Sequence, residues 1–104
     1  MNLGKMMQQA KKMQEKMQQL QAEIAEIEVT GEAGGGMVKV TMSGDRNVRQ
    51  VEIDPSVWAE QDKELIEDLV AAAFNAAAQA VEAESKQKQQ QLMAGMPLPP
   101  GFSL

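Results

Sequence analysis

The sequence contains no cysteine, no histidine and no tyrosine, and its aromatic residues are one tryptophan and two phenylalanines among 104 residues. The absence of cysteine excludes a disulfide framework and thiolate chemistry, and it suits a reducing compartment. Without histidine and cysteine the chain also lacks the commonest general base and the soft ligands of zinc sites. Only carboxylate chemistry is left, so we expect no enzymatic activity, no metal and no cofactor.

Long apolar runs are missing as well. The longest run, residues 69–81, is interrupted by Asn75 and Gln79, and it is too short to span a bilayer. The first 20 residues lack the apolar centre of a signal peptide. We therefore expect a cytoplasmic protein with no membrane partner.

Basic residues are outnumbered, with 10 Lys and Arg against 15 Asp and Glu and a formal net charge of -5. This total argues against a globally basic nucleic-acid binder. The charge is nevertheless unevenly placed: residues 1–20 hold four lysines and one acid, a net of +3, whereas residues 55–85 hold one lysine and seven acids, a net of -6. The sequence predicts an electrically polarised molecule.

The first 27 residues follow the period of a helix. Apolar side chains recur at alternating spacings of three and four residues, at Leu3, Met6, Ala10, Met13, Met17, Leu20, Ile24 and Ile27. This spacing is the heptad seam of a coiled-coil helix. We predict a long N-terminal helix whose first half is lined by methionine, a side chain that packs adaptably.

The middle of the chain has strand character. Residues 29–33, 37–43 and 48–53 are predicted strands, joined by the glycine triplet at 34–36 and the turn residues at 44–47. Val48 is out of phase with Val51 and Ile53, so we expect a late start or a bulge in the third strand. A strand follows the glycine triplet, which favours a hairpin over a phosphate-binding loop, because such a loop needs a helix N-terminus behind it.

A second long helix is predicted from Asp62, its N-cap, to about residue 91. Its acidic first turns, with Glu64, Glu67 and Asp68, match the helix dipole and need no catalytic explanation. Its alanine-rich middle permits close approach of another element. Before it, the segment 54–56 is interpreted as a turn that stops the third strand, and Trp58 as a side chain that holds the following loop to the core.

These elements predict an α+β fold: a long N-terminal helix, a three-stranded antiparallel meander and a long C-terminal helix. Residues 1–92 form a single domain, and the proline-rich residues 93–104 form a flexible tail. Helices of about 37 and 45 Å must overhang strands of about 20 Å. Three strands with one apolar face also leave open edges and little cover, which favours a homodimer.

Four stretches resemble the YbaB/EbfC family of bacterial nucleoid-associated DNA-binding proteins, namely VTGE at 29–32, GMVKV at 36–40, VEIDP at 51–55 and EDLVAAAFN at 67–75. The resemblance covers nearly the whole chain, including MPLPPGF near its end. It implies a tweezer-like homodimer, located at the nucleoid, that binds duplex DNA with limited sequence specificity. It also implies that the long helices contact DNA, here through Lys5, Lys11, Lys12, Lys16, Lys86 and Lys88.

Two questions stay open at this level. Lys39, Arg46 and Arg49 are further candidates for phosphate contact, although they equally suit the polar face of a sheet. The methionine seam fits a packed core, but a flexible methionine-rich surface also suits a holdase-like or adaptor protein that clasps a polypeptide between helical arms. Replication or repair proteins are further possible partners of a protein at the nucleoid.

Overall fold

The structure is a computed structural model that describes residues 2–94. Its elements are α1 (Leu3–Glu26), β1 (Glu28–Ala33), β2 (Val38–Ser43), β3 (Val48–Ile53), α2 (Pro55–Ala59) and α3 (Lys63–Ala94). The predicted α+β class and the order of its long elements are confirmed. Helix α3 includes residues 93 and 94, the first two of the predicted tail. The rest of the predicted tail, residues 95–104, lies outside the described residues.

The three strands form an antiparallel sheet in the order β1-β2-β3, as a meander requires. The register between β2 and β3 shifts at one point, because Thr41 pairs with Gln50 whereas Met42 pairs with Val48. Arg49 is the extra residue of this bulge. The phase of Val48 predicted either a late start or a bulge in this strand. The structure has the bulge, which returns that side chain to the apolar face of the sheet.

Helix α3 packs over β1 and β2 to make the core. Val38, Val40 and Met42 of β2 are fully buried on this face, and Ala73, Ala77 and Val81 of α3 are buried against the sheet. The small side chains of α3 let its backbone approach that of Gly31 in β1. The close approach predicted from the alanine-rich sequence is therefore confirmed.

Within residues 2–94, helix α1 is attached to this body only at its C-terminal end. The N–H of Gly44 donates a 2.8 Å hydrogen bond to the carbonyl of Ile27, and the backbone of Gly44 lies against that of Ile24. Leu20 is the buried residue of α1, while residues 2–19 are all exposed. Residues 3–19 therefore form a projecting segment, which we call the arm.

The arm gives the molecule its length. The described residues span 71 × 23 × 17 Å with a radius of gyration of 20.1 Å, against about 13 Å for a compact chain of this size. Helix α3 accounts for about 48 Å of the length. Ile27 lines a groove with Glu84 and Gln91 near the C-terminal end of α3, so the arm extends past that end.

The segment before α3 differs from its predicted structure. Instead of a turn and loop, the chain forms the short helix α2, because Asp54 caps it by accepting a 2.8 Å hydrogen bond from the N–H of Ser56. Val57 is the side chain that α2 buries, whereas Trp58 is 66% exposed. The prediction that Trp58 holds this segment to the core is wrong. In the single turn of α2, the adjacent side chain of Val57 is the one that is buried.

Candidate nucleic-acid interface

All four predicted lysines of the first helix lie on the arm, and all four are exposed. Lys5, Lys12 and Lys16 are separated by seven and four residues, which at about 100° per residue places them within about 40° of one another around the helix. They form a stripe about 16 Å long, which we call the lysine stripe. Lys11 lies about 100° away from it.

The arm stays helical because its local sequence supports a helix. The side chain of Asn2 caps the first turn by accepting a 3.1 Å hydrogen bond from the N–H of Gly4. Beyond the cap, the arm consists mainly of Met, Gln, Lys and Ala, which are strong helix formers. This composition matters because the arm receives little support from tertiary packing.

The arm lysines make no ion pair within the described residues. The ion pairs there join Lys39 to Glu32 at 3.8 Å and Lys63 to Glu67 at 3.4 Å. Glu15 is the one acid on the arm; it follows Lys11 by four residues and is not within ion-pairing distance of it. The ammonium groups of the arm are therefore available for phosphate.

The two predicted lysines of α3 are not brought together. Lys86 is exposed and Lys88 is half-buried, and a separation of two residues directs them about 200° apart around the helix. Lys88 lines the groove at the base of the arm together with Ile27 and Glu84. A carboxylate in the same groove makes Lys88 a weaker candidate than the arm lysines.

The three additional candidates divide between the two ends of the sheet. Lys39 is half-buried and ion-paired, at the end of β2 next to the glycine triplet. Arg46, with a positive φ of 66°, lies in the turn between β2 and β3, and Arg49 follows at the bulge. Both arginines are exposed. Because Gly44 of this turn contacts the end of α1, they lie near the base of the arm.

The sequence predicted these arginines on the polar face of the sheet and gave no reason to prefer them over Lys39. Gly44 is the sequence signal that distinguishes the two arginines from Lys39, because a turn glycine can mark a position where another backbone approaches closely. The pKa of Asp45 in the same turn is lowered, first by a hydrogen bond from the Ser43 hydroxyl and least by the positive charge of Arg49.

Residues 2–94 offer little support for a metal site or a membrane-spanning segment. No cluster of acidic side chains there could hold a metal ion. Neither long helix has a segment apolar enough to cross a bilayer in the part of the chain that is described. Among the carboxylates that the structure describes, Asp54 is the other with a lowered pKa; as the cap of α2 it accepts hydrogen bonds from the side chain and backbone of Ser56.

Comparison with known proteins identifies the fold and the family of this chain. The fold is similar to the crystal structure of the uncharacterized protein HP0035 from Helicobacter pylori, with a TM-score of 0.73 and 26% sequence identity over 89% of this chain and 98% of that chain. The model of the YbaB/EbfC DNA-binding family matches residues 1–96. That match spans the arm, the sheet and both long helices, and it shows that the chain belongs to the YbaB/EbfC DNA-binding family.

Proposed function

We propose that this protein is nucleoid-associated and binds duplex DNA through the lysine stripe of its arm, with limited sequence specificity. The observation that carries the proposal is the position of Lys5, Lys12 and Lys16. They form one exposed stripe on a helix that leaves the body, and they make no ion pair with any residue in the range 2–94. Membership of a DNA-binding family supports the same partner.

The acidic body does not prevent this binding, because its densest cluster of acids lies far from the arm. The acids of residues 60–68 are at the start of α3, and the arm extends beyond its other end, within a molecule 71 Å long. Exposed charges are screened beyond about 8 Å at physiological salt. The arm therefore attracts phosphate with a local net charge of +3 from residues 1–20.

Lysine binds phosphate as a point charge and lacks the rigid bidentate fork of arginine. The stripe offers three ammonium groups and no arginine, so its affinity derives from the release of counterions from DNA. We expect a modest affinity that falls steeply with salt and is similar for unrelated sequences. Arg46 and Arg49 add phosphate contacts near the base of the arm, and Lys86 extends the surface along α3.

A homodimer would double the number of arms. On the apolar face of the sheet, Val51 pairs with buried Val40, yet Val51 is 46% exposed because α3 covers β1 and β2 and leaves β3 open. Val48 and Phe74 are also partly exposed. We call these three residues and Val70 the dimer surface; a second copy that covers it completes the core and presents two arms, like tweezers, with eight arm lysines.

In a second candidate function, the arms bind a polypeptide instead of DNA. Met6, Met13 and Met17 are each just over half exposed, so much of the heptad seam is uncovered by the described part of the chain. A flexible methionine surface can repack around different peptides, as a holdase-like or adaptor protein requires. Met13→Ser with Met17→Ser would then abolish suppression of client aggregation, and a wild type that suppresses none removes this candidate.

The experiment that tests the DNA proposal is fluorescence anisotropy of a labelled random-sequence duplex, titrated with the protein at several salt concentrations. The proposal predicts saturable binding whose log affinity falls linearly with log salt, with a slope that reports how many phosphates are neutralised. Absence of binding at low salt contradicts it. Copurification with replication or repair proteins that survives nuclease treatment would separately identify protein partners.

A further inference from the structure

The heptad seam of α1 is covered at one end and open at the other. Four of its side chains are each seven residues apart and lie along one side of the helix, namely Met6, Met13, Leu20 and Ile27. Leu20 is 4% exposed, whereas Met13 is 54% exposed. In the part of the chain that the structure describes, the cover therefore ends between these two residues. We call the uncovered part the open seam; it consists of Leu3, Met6, Ala10, Met13 and Met17.

Helix α3 supplies the cover where the seam is buried. Helices α1 and α3 are in contact, and Ile27 lines a groove with Gln87 of α3. Leu20 lies about 10 Å from Ile27 along α1, and Ala94 lies about 10 Å beyond Gln87 along α3. Because the arm extends past the C-terminal end of α3, that end is about level with Leu20. Residues 95–104 therefore begin where the cover over the seam ends.

These ten residues, which we call the tail segment, have a composition that suits an apolar surface. They include no charged side chain, and their large apolar side chains are Met96, Leu98, Phe102 and Leu104. A solvated segment is instead typically poor in large apolar residues and rich in charge. Three prolines in the tail segment restrict its backbone, so it loses less conformational entropy on binding than an unrestricted chain does.

The tail segment also has the length of the open seam. A proline-rich segment in the extended polyproline conformation advances about 3.1 Å per residue, so residues 96–104 span about 25 Å. The open seam from Leu3 to Met17 is about 21 Å long. A tail segment that runs from Ala94 towards the tip of the arm therefore reaches every side chain of the open seam.

We propose that residues 95–104 bind along the open seam of their own chain and continue the cover that α3 provides. Leu98 then lies level with Met13, and Phe102 lies level with Met6. The phenyl ring of Phe102 is suited to contact with a methionine sulfur. Attachment to the same chain favours this occupant over others, because it gives the tail segment an effective concentration in the millimolar range.

Binding of the tail segment leaves the lysine stripe open. The stripe lies about 120° around α1 from the centre of the open seam, so phosphate and the tail segment use different sides of the arm. A polypeptide client needs the open seam itself and has to displace the tail segment. The inference thus goes beyond DNA binding, because it assigns to the methionine surface an occupant from within the chain.

Oxidation by hydrogen peroxide measures the cover over each methionine, because an accessible thioether reacts faster than a covered one. The chain supplies internal standards for both extremes. Met7 is 68% exposed and lies on the arm about 80° from the centre of the open seam. Met42 is 2% exposed in the core. Tandem mass spectrometry, which distinguishes Met6 from Met7, gives the oxidation rate at each position.

Two full-length variants change the tail segment. The tail variant carries Leu98→Ser and Phe102→Ser, and the control variant carries Ser103→Ala, which removes no apolar side chain. In the wild type and the control we expect the three open-seam methionines to oxidise several-fold more slowly than Met7. In the tail variant they should oxidise at nearly the rate of Met7. Met42 should stay slow in all three proteins, which checks that the body is folded.

A mixed sample tests whether the tail segment binds its own chain. The isotope-labelled tail variant is unfolded and refolded together with an excess of unlabelled wild type, and oxidation is measured on the labelled copies alone. Their open seams should stay as reactive as in the pure tail variant, because their own tail segments are altered. Protection of the labelled copies would show binding between chains and would contradict the proposal.

Open-seam methionines of the wild type that oxidise as fast as Met7 overturn the proposal. Slow oxidation that persists in the tail variant also overturns it, because another occupant, such as the arm of a second copy, then covers the seam. Anisotropy on labelled duplex is scored separately, and the tail variant should bind DNA like the wild type. A wild type that binds DNA with an uncovered seam refutes only this inference, and one with a covered seam that binds no DNA refutes only the proposed function.

Discussion

The backbone of Gly31 in β1 lies directly against the backbone of Ala77 in α3, with no room for a methyl group between them. The contact holds the sheet to the helix at the centre of the core, where Ala73 and Ala77 are fully buried. It explains why the middle of α3 is built from alanine: a larger side chain would separate the two backbones. The position of α3 on the sheet thus depends on two very small residues.

Replacing Gly31 with alanine should destabilise the fold by about 1–3 kcal/mol, the usual cost of overpacking a core. Thermal unfolding followed by circular dichroism measures the change. Gly4→Ala is the matched control, because a β-carbon at Gly4 meets only the side chain of Asn2, at 3.4 Å. Since alanine favours a helix over glycine, the control should not be destabilised. Equal stability of Gly31→Ala and wild type would contradict the packing described.

Stability should decline in acid through two exposed carboxylates, Asp45 in the turn between β2 and β3 and Asp54 at the cap of α2. The pKa values of Asp45 and Asp54 are lowered, chiefly by hydrogen bonds from Ser43 and Ser56 respectively. A lowered pKa in the folded state means that the contribution is complete above the ordinary carboxylate pKa of about 3.9 and is lost as pH falls through the folded value. Urea unfolding across this range should show a shallower acid decline for Asp45→Asn with Asp54→Asn. An identical decline would show that neither carboxylate contributes.

The dimer surface can be tested with two neighbouring residues on opposite faces of β3. Val51→Asp places a charge on the open apolar face, whereas Gln50→Asp places the same charge on the polar face next door. We expect light scattering to show dissociation for Val51→Asp and no change for Gln50→Asp. If both variants keep the mass of the wild type, the second copy is bound elsewhere or not at all.

Glu15 should weaken the attraction of the arm for DNA. It is the one acid among the arm lysines and follows Lys11 and Lys12 by four and three residues. Glu15→Gln removes this opposing charge, so affinity for duplex at low salt should rise by about twofold per arm, the scale of an exposed pair on a helix. Glu28→Gln, which lies in β1, is the control. An unchanged affinity for Glu15→Gln would place the DNA away from this part of the arm.

Periodicity in the sequence was sufficient to predict the order of the elements and an irregular third strand, with a late start or a bulge. The residue type of Asp62 predicted the cap of α3, where this side chain accepts a 3.1 Å hydrogen bond from the N–H of Leu65. Periodicity did not predict α2 or the exposure of Trp58, because a single turn of helix after Asp54 is too short to show a period. The burial of individual side chains could not be predicted from the sequence either. The exposure of Val51, for example, depends on the position of α3, which only the tertiary structure reveals.

The candidate site was predicted in part. Lys5, Lys12 and Lys16 were named from the sequence, and the length of the two helices relative to the strands predicted that their ends would project. The separation of Lys86 from Lys88 was visible in their spacing, but the burial of Lys88 beside Ile27 and Glu84 required the packing of α1 on α3. Likewise, the placement of Arg46 and Arg49 near the arm required the contact of Gly44 with Ile24.

The central claim is that the lysine stripe carries DNA binding, and the salt dependence of anisotropy tests it most directly. The stripe variant carries Lys5→Gln, Lys12→Gln and Lys16→Gln; the control carries Lys63→Gln, a lysine that is already ion-paired in the acidic body. We predict that the stripe variant binds every duplex more weakly and that its salt slope is smaller by about one per lysine removed, while the control binds like the wild type. A stripe variant with the affinity and slope of the wild type would contradict the account.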